Sequence, residues 1–291
     1  MLTLFQWLSV LPLRALHTLG ALLGWLTYAA SPSYRKRLAA NAAQAGVPRA
    51  QWRGAVASAG RMVAELPFLW MRPADKPILP LVRFEGEALL ENAIQQGKGV
   101  LILTPHMGSF EVTAQAIAER FGRLQPITVL YRPARQPWLQ GLVKTSRERP
   151  QLLAAPATLS GVRQMIRALR KGEMVGLLPD QVPPDGMGIW APFFGREAYT
   201  MTLAARLVQQ TGAALLLTWG ERLPRGEGYV QRFFEFPGEL PADAAESAAL
   251  INRAMERLIL QCPQQYLWAY NRYKAPRAQP AAAADQPSVK E

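Results

Sequence analysis

The chain has 291 residues, 49% of them hydrophobic, enough to bury a sizeable core in one large α/β domain or two small ones and to exclude wholesale disorder. Lysine and arginine outnumber aspartate and glutamate by 33 to 21, and the resulting net charge of +12 favours anionic partners: phospholipid head groups, acidic proteins or nucleic acid. A single cysteine, Cys262, forbids an internal disulfide, and two histidines cannot supply the Cys/His spacing of a zinc site, so a reducing compartment fits and a metal enzyme does not.

The first thirty residues are the most membrane-like part. Leu2 to Val10 and Leu19 to Ala30 are strongly apolar, with Trp7 and Trp25 spaced as interfacial anchors, although Arg14 and His17 interrupt the run. No basic region precedes the apolar stretch and no small-residue cleavage site follows it, which argues against a cleaved signal peptide. The cluster Arg35, Lys36 and Arg37 puts the following domain in the cytoplasm if the segment spans; the alternative is an amphipathic helix lying in the interface with Arg14 snorkelling. On either reading residues 1–30 are expected to serve location rather than chemistry.

Residues 38–71 carry alanine, leucine and aromatics without strand-like alternation and are expected to be helical up to the proline-bearing stretch Arg72 to Pro80. From Val100 the pattern changes to short apolar runs typical of buried parallel strands: Val100 to Thr104, Ile127 to Leu130, Gln151 to Ala155, Val175 to Leu178 and Ala214 to Thr218. Between them lie helical patterns, one of which sets Val162, Met165, Ile166 and Leu169 on a single face with Thr158 or Ser160 as its N-cap. This alternation predicts an α/β fold, a central and mostly parallel sheet with helices on both faces. A last helix is expected over 243–261, and the Ala/Pro-rich tail from Ala275 reads as disordered.

The segment Thr104-Pro-His-Met-Gly-Ser-Phe-Glu111 follows a predicted strand and opens a predicted helix, so His106 falls in the loop where ligands meet an open α/β sheet. Glu111, in the first helical turn, is placed to accept a hydrogen bond from one imidazole nitrogen and leave the other as general base. That is the orienting-carboxylate logic of a catalytic triad, with a substrate hydroxyl in the place of the serine. On spacing alone a hydrogen-bonded structural histidine remains the commoner alternative. Ser109 lacks the Gly-x-Ser-x-Gly elbow of a serine hydrolase, so capping the helix is its expected role, with Gly108 allowing a tight turn.

The run "HMGSFE", followed in order by "YRP", "LLPDQ", "PFFGREAYT" and "PQQYLWAYNRYK", resembles the lipid A biosynthesis (late) acyltransferases, within the glycerolipid acyltransferase superfamily that shares a histidine, four residues and an acid. The resemblance covers about Leu101 to Lys274. It implies a cytoplasm-facing inner-membrane O-acyltransferase that takes an acyl chain from acyl carrier protein, needs no cofactor, and esterifies a hydroxyl of a Kdo-linked lipid A precursor. On this reading residues 1–31 form an N-terminal hydrophobic membrane-anchoring helix, 32–274 the acyltransferase domain and 275–291 a disordered tail. The resemblance also implies catalytic roles beyond the dyad. Arg147 would hold a phosphate of the acceptor or steady the thioester oxygen, with Arg149 as the alternative. Asp180, at the ligand-facing end of a predicted strand, would orient a donor group, its alternative role being to cap the next turn. Arg132, within "YRP", belongs to the implied substrate or partner surface. Two departures, Ser109-Phe110 where Asn-Trp is common and Gln264 for a frequent glutamate, leave the acceptor open.

Arg163, Arg167 and Arg170 share one helix face, either solvated or a docking surface for acyl carrier protein or anionic head groups. Phe193-Phe194-Gly195 lines an acyl channel or belongs to the core. No recognition motif supports nucleic-acid binding. The rival functions are an acyl-CoA-dependent transferase acting on a lysophospholipid or glycolipid, a serine hydrolase using Ser109, and a membrane-binding scaffold without catalysis.

Overall fold

The computed structural model describes residues 2–73, 75–131 and 149–277. Its centre is a seven-stranded sheet in the order β1-β9-β8-β2-β5-β3-β4, built from β1 (Val82–Glu85), β2 (Val100–Leu103), β3 (Ile127–Tyr131), β4 (Leu152–Pro156), β5 (Met174–Leu177), β8 (Ala214–Arg222) and β9 (Tyr229–Glu235). Every pair is parallel except β8 with β9, so the sheet is mostly parallel, as the alternating pattern predicts. The expected strands are all present. β1 and β9 were not anticipated, because β1 has four residues and β9 carries Gln231 and Arg232 amid its apolar positions.

All four residues of β2 are buried, which explains an apolar run without alternation: the strand has a hydrophobic layer on each side. Val100 and Ile102 join a cluster with α5 (Glu87–Gln95) and α6 (Phe110–Phe121). Leu101 and Leu103 join a larger one with α3 (Pro32–Gln44), α4 (Arg49–Trp70), α7 (Leu159–Arg170), α8 (Leu203–Thr211) and α9 (Ala244–Gln261). Helices therefore cover both faces. Beside the sheet stands a hairpin of β6 (Gly188–Phe193) and β7 (Arg196–Met201), turned by Phe194 and Gly195 at φ 49° and 72°. Positive φ at both turn residues suits the twist of a two-residue hairpin. Phe194 pays for its unusual backbone with a hydrogen bond from its N–H to Glu256 (2.6 Å), and its ring packs edge-on against Phe193. Phe193 is buried in the large cluster, which places this aromatic pair in the core.

The amino-terminal segment, expected to be one hydrophobic helix, is two: α1 (Leu2–Ser9) and α2 (Leu13–Ala30). Pro12, which precedes α2 with φ −59°, separates them. Among the described residues no helix is long and apolar enough to cross a membrane. The 18 residues of α2 rise about 27 Å against a hydrocarbon core of about 30 Å, and they include Arg14 and His17. One side of α2 lies on α4 so closely that a Cβ on Gly60 would come 1.9 Å from the carbonyl oxygen of Gly20, and one on Gly24 2.3 Å from that of Val56. The other side exposes Leu19, Leu22, Leu23 and Leu26, and α1 and the turn after it expose Leu2, Leu4, Trp7 and Val10.

Candidate active site

β2 and β5 are parallel neighbours with Leu103 opposite Leu177, and the N–H of Thr104 donates to the carbonyl of Leu177 (3.1 Å) to carry the pairing one step further. His106 and Asp180 each lie just beyond these paired strand ends, so the sheet delivers two residues far apart in sequence to one point at its carboxyl edge. There His106 Nδ1 is 2.6 Å from Asp180 Oδ1, and the backbone N–H of His106 donates to Oδ2 at 3.0 Å. Each carboxylate oxygen thus meets one nitrogen of His106, and the buried Tyr266 side chain is also hydrogen-bonded to Asp180. Asp180 is fully buried while the His106 side chain keeps 19% of its surface open. Burial by itself pushes the Asp180 carboxyl up. The adjoining imidazole, the two hydrogen bonds and the more distant Arg272 outweigh it, and the group is held below the ordinary carboxylate range. An ionised carboxylate only accepts, so Nδ1 is the donor to Asp180 and Nε2 is the ring nitrogen that Asp180 does not hold.

The orienting carboxylate on His106 is thus Asp180 rather than Glu111. Glu111 does sit in the first turn of α6, where its Oε2 accepts a hydrogen bond from the Trp70 indole (3.1 Å) at the end of α4. The reason lies in the loop. Met107 bridges to Tyr266, Gly108 takes a positive φ of 58°, and the His106 ring stands edge-on to Phe110 at 5.0 Å. This path sends Nδ1 to the neighbouring strand end instead of up the helix. Asp180 itself, expected to orient a donor group or cap a turn, holds the histidine.

The loop is pinned along its length. Met107 N–H donates to Pro105, Gly108 N–H to Gln265 and Ser109 N–H to Gly220, while Leu267 N–H donates to the His106 carbonyl. The backbone donors of residues 107–109 are therefore already committed to protein carbonyls, which leaves oxyanion stabilisation to other groups. A Cβ on Gly108 would fall 2.0 Å from the Gly220 oxygen, so only glycine fits there. Ser109 occupies the N-cap position of α6 without a side-chain capping bond. Its hydroxyl, wholly buried, donates to Glu65 at 2.6 Å, which removes it as an accessible nucleophile.

Glu65, His17 and Arg222 were not foreseen as site residues. Glu65 is buried, and burial pushes its carboxyl up, but the Arg222 guanidinium with hydrogen bonds from Arg222, His17 and Ser109 brings it down to about 2. The signal available in sequence was faint: Glu65 is the lone acid among the 22 residues of α4. Gln265, inside the "PQQYLWAYNRYK" run, supplies side-chain and backbone bonds that tie the segment after α9 to Gly108 and Arg222.

Arg147 and Arg132 lie outside the described residues. Arg149, the alternative to Arg147, donates from Nη2 to the carbonyls of Leu69 and Arg72 at 3.0 Å each, satisfying the carboxyl end of α4. Arg163, Arg167 and Arg170 are exposed on α7, whose N-cap is Thr158. Among the described residues no three His, Cys, Asp or Glu side chains cluster as metal ligands.

Comparison with known proteins agrees with the order of motifs. The family model for bacterial lipid A biosynthesis acyltransferase matches residues 1–275. The chain is 30% identical over 224 residues to the lipid A biosynthesis lauroyltransferase of Escherichia coli (strain K12), covering 75% of this chain and 69% of that protein. It is 30% identical over 220 residues to the lipid A biosynthesis palmitoleoyltransferase of the same organism, with the same coverage. A lipid A biosynthesis acyltransferase of Haemophilus influenzae is 26% identical over 185 residues, 64% of this chain and 57% of that protein. With the family's match running from the amino-terminal helices through the last described element, this chain belongs to the bacterial lipid A biosynthesis acyltransferases.

Proposed function

We propose that this O-acyltransferase moves a fatty acyl group from acyl carrier protein to a hydroxyl of a Kdo-linked lipid A precursor, with His106 as general base. The observation that carries the reading is the His106–Asp180 contact of 2.6 Å at the carboxyl edge of the sheet, with the imidazole partly open and the carboxylate buried. Asp180 fixes the Nδ1–H tautomer, and Nε2 removes the proton of the acceptor hydroxyl as its oxygen attacks the thioester carbonyl. Collapse of the tetrahedral intermediate forms the ester and breaks the C–S bond, and the imidazolium returns its proton to the departing thiolate. Glu111 is assigned to the site as its second acid. The Glu111 role rests on the family-like spacing after His106 and on its hold by Trp70. Arg147 is assigned the oxyanion or an acceptor phosphate by resemblance, a contribution of about 3 kcal/mol for one well-placed donor in other acyl-transfer sites.

The same proposal lays the protein on the cytoplasmic side of the inner membrane, attached rather than spanning. Leu19, Leu22, Leu23 and Leu26 on α2 and Trp7 and Val10 near α1 are exposed apolar side chains, and the basic cluster at residues 35–37 favours anionic head groups. The exposed arginines 163, 167 and 170 are assigned to the acidic carrier protein. The test is mass spectrometry of lipid A from cells with and without the gene, with purified enzyme given acyl carrier protein or coenzyme A thioesters. Loss of one ester-linked chain and turnover of the carrier-bound donor are expected. An unchanged lipid A profile with a missing phospholipid species, or faster use of the coenzyme A donor, would overturn the assignment.

A further inference from the structure

A buried ionic network joins the amino-terminal helices to the loop that carries His106. Glu65 on α4 accepts five hydrogen bonds. These come from His17 on α2 (3.0 Å), Ser109 (2.6 Å), Arg222 Nε (2.8 Å) and Nη2 (2.6 Å) on β8, and Tyr229 on β9 (3.1 Å). Arg222 continues to the Gly108 carbonyl (2.8 Å) and the Ser58 hydroxyl (3.1 Å). His17, Glu65, Ser109, Arg222 and Tyr229 are all buried. A buried ion pair rarely adds net stability over apolar residues of the same shape, so stability alone gives little reason for it here. What it does geometrically is grip two consecutive residues of the catalytic loop, Gly108 by its carbonyl and Ser109 by its hydroxyl, between His106 and Glu111.

We infer that His17 and Glu65, with Arg222, are positioning residues for catalysis, and that α2 is part of the active-site framework rather than a tether alone. The inference rests on the reading of His106 as the base. Asp180 fixes the ring of His106 from one side, but Nε2 meets the acceptor hydroxyl only if residues 107–109 hold their path against β8. Glu65 is the joint. Of its four donor residues, His17 comes from α2, Arg222 and Tyr229 from β8 and β9, and Ser109 from the loop itself. The Gly20, Gly24 and Gly60 contacts bring α2 near enough to α4 for His17 to reach it. Loss of the His17 bond would leave the carboxylate underheld and let the loop drift by a fraction of an ångström. Binding surfaces for donor and acceptor would be untouched, so the loss belongs in kcat and not in KM.

The test uses the full chain in detergent with His17→Phe, His17→Gln and Ser109→Ala, measuring kcat, KM and the thermal midpoint of each. Phenylalanine fills the volume without a donor, whereas the glutamine amide reaches about as far as Nε2 and can donate to Glu65. His17→Phe is expected to lower kcat by about tenfold, with KM within about twofold, since a small misplacement of reacting groups costs up to about 10². His17→Gln should restore kcat to within about threefold of wild type if its donor re-forms the bond. Equal losses in the Phe and Gln variants, or wild-type kcat in the Phe variant, would overturn the inference. If His17→Phe does not fold, Ser109→Ala decides: a severalfold drop in kcat at unchanged KM supports positioning, and wild-type kcat refutes it. His106→Ala run in parallel keeps the two readings apart, because full activity there removes the base itself whatever His17 does.

Discussion

Replacing Asp180 by asparagine probes the centre of the proposed chemistry with the least change of shape. The asparagine carbonyl can still accept the backbone N–H of His106, now 3.0 Å from Oδ2, but the atom facing Nδ1 at 2.6 Å becomes an NH2 group. A donor there forces Nδ1 to be the acceptor, so the proton moves to Nε2 and the ring loses its basic lone pair on the substrate side. The same change in a serine protease triad costs about 10⁴ in kcat with the geometry intact, which corresponds to about 5 kcal/mol at 1.36 kcal/mol per tenfold. Asp180→Asn is therefore expected to lower kcat by about 10³–10⁴. The thermal midpoint should fall by only a few degrees, because the isosteric side chain leaves no cavity. Asp180→Ala should cost activity and, through the orphaned His106 N–H and the lost volume, stability as well. The assay is single-turnover acyl transfer followed by mass spectrometry of the product, at matched folded protein. An Asp180→Asn enzyme that keeps more than about a tenth of the wild-type rate would show that His106 does not depend on this carboxylate, and the general-base scheme would fall with it.

His106→Ala and Glu111→Ala are each expected to lose more than tenfold in turnover at normal expression, with Glu111→Ala the test of whether the family-like acid acts through charge, since a positioned base supplies about 10²–10⁴. Ser109→Ala should form no acyl adduct by intact mass during turnover and should cost about 1–3 kcal/mol of stability through the buried Glu65 bond; a trapped adduct on Ser109 in the wild type would instead establish a ping-pong route. Acid should weaken the fold through Glu65 and Asp180, both held below their ordinary range. A depressed folded pKa stabilises above the unfolded value and loses that contribution as pH falls through the folded one. For Glu65 the window runs from the ordinary 4.5 down to about 2, and the loss amounts to at most about 3 kcal/mol. A urea midpoint flat from pH 5 to about 2.5 would refute it. Leu22→Ser with Leu26→Ser should cut co-sedimentation with anionic vesicles severalfold in 1 M salt, where the Debye length of about 3 Å removes most of the charge attraction. Undiminished binding would move the attachment site elsewhere.

Much of this molecule follows from its local sequence. The apolar runs of β2 and β5 form buried parallel strands at the centre of the sheet because each is hydrophobic on two faces, and that property needs no knowledge of partners. The α7 stripe of Arg163, Arg167 and Arg170 and the α9 boundaries follow equally from helical period and capping, with Asp243 accepting from Ala245 and Glu246. His106 was recognisable by its place after a strand and before a helix. Which carboxylate it meets was not, because spacing along the chain favoured Glu111 whereas strand order decides for Asp180. β2 and β5 are neighbours only once β3 and β4 have been placed beyond β5, and no local pattern encodes that order. The amino-terminal segment shows the same division. Its hydrophobicity was legible, but its length between breaks and its glycine contact with α4 turn a candidate span into a packed helix with one exposed face. The network around Glu65 lay furthest from view. A buried charge is tolerable only where donors converge on it, and the convergence of His17, Ser109 and Arg222 is a property of the folded chain and of no segment within it.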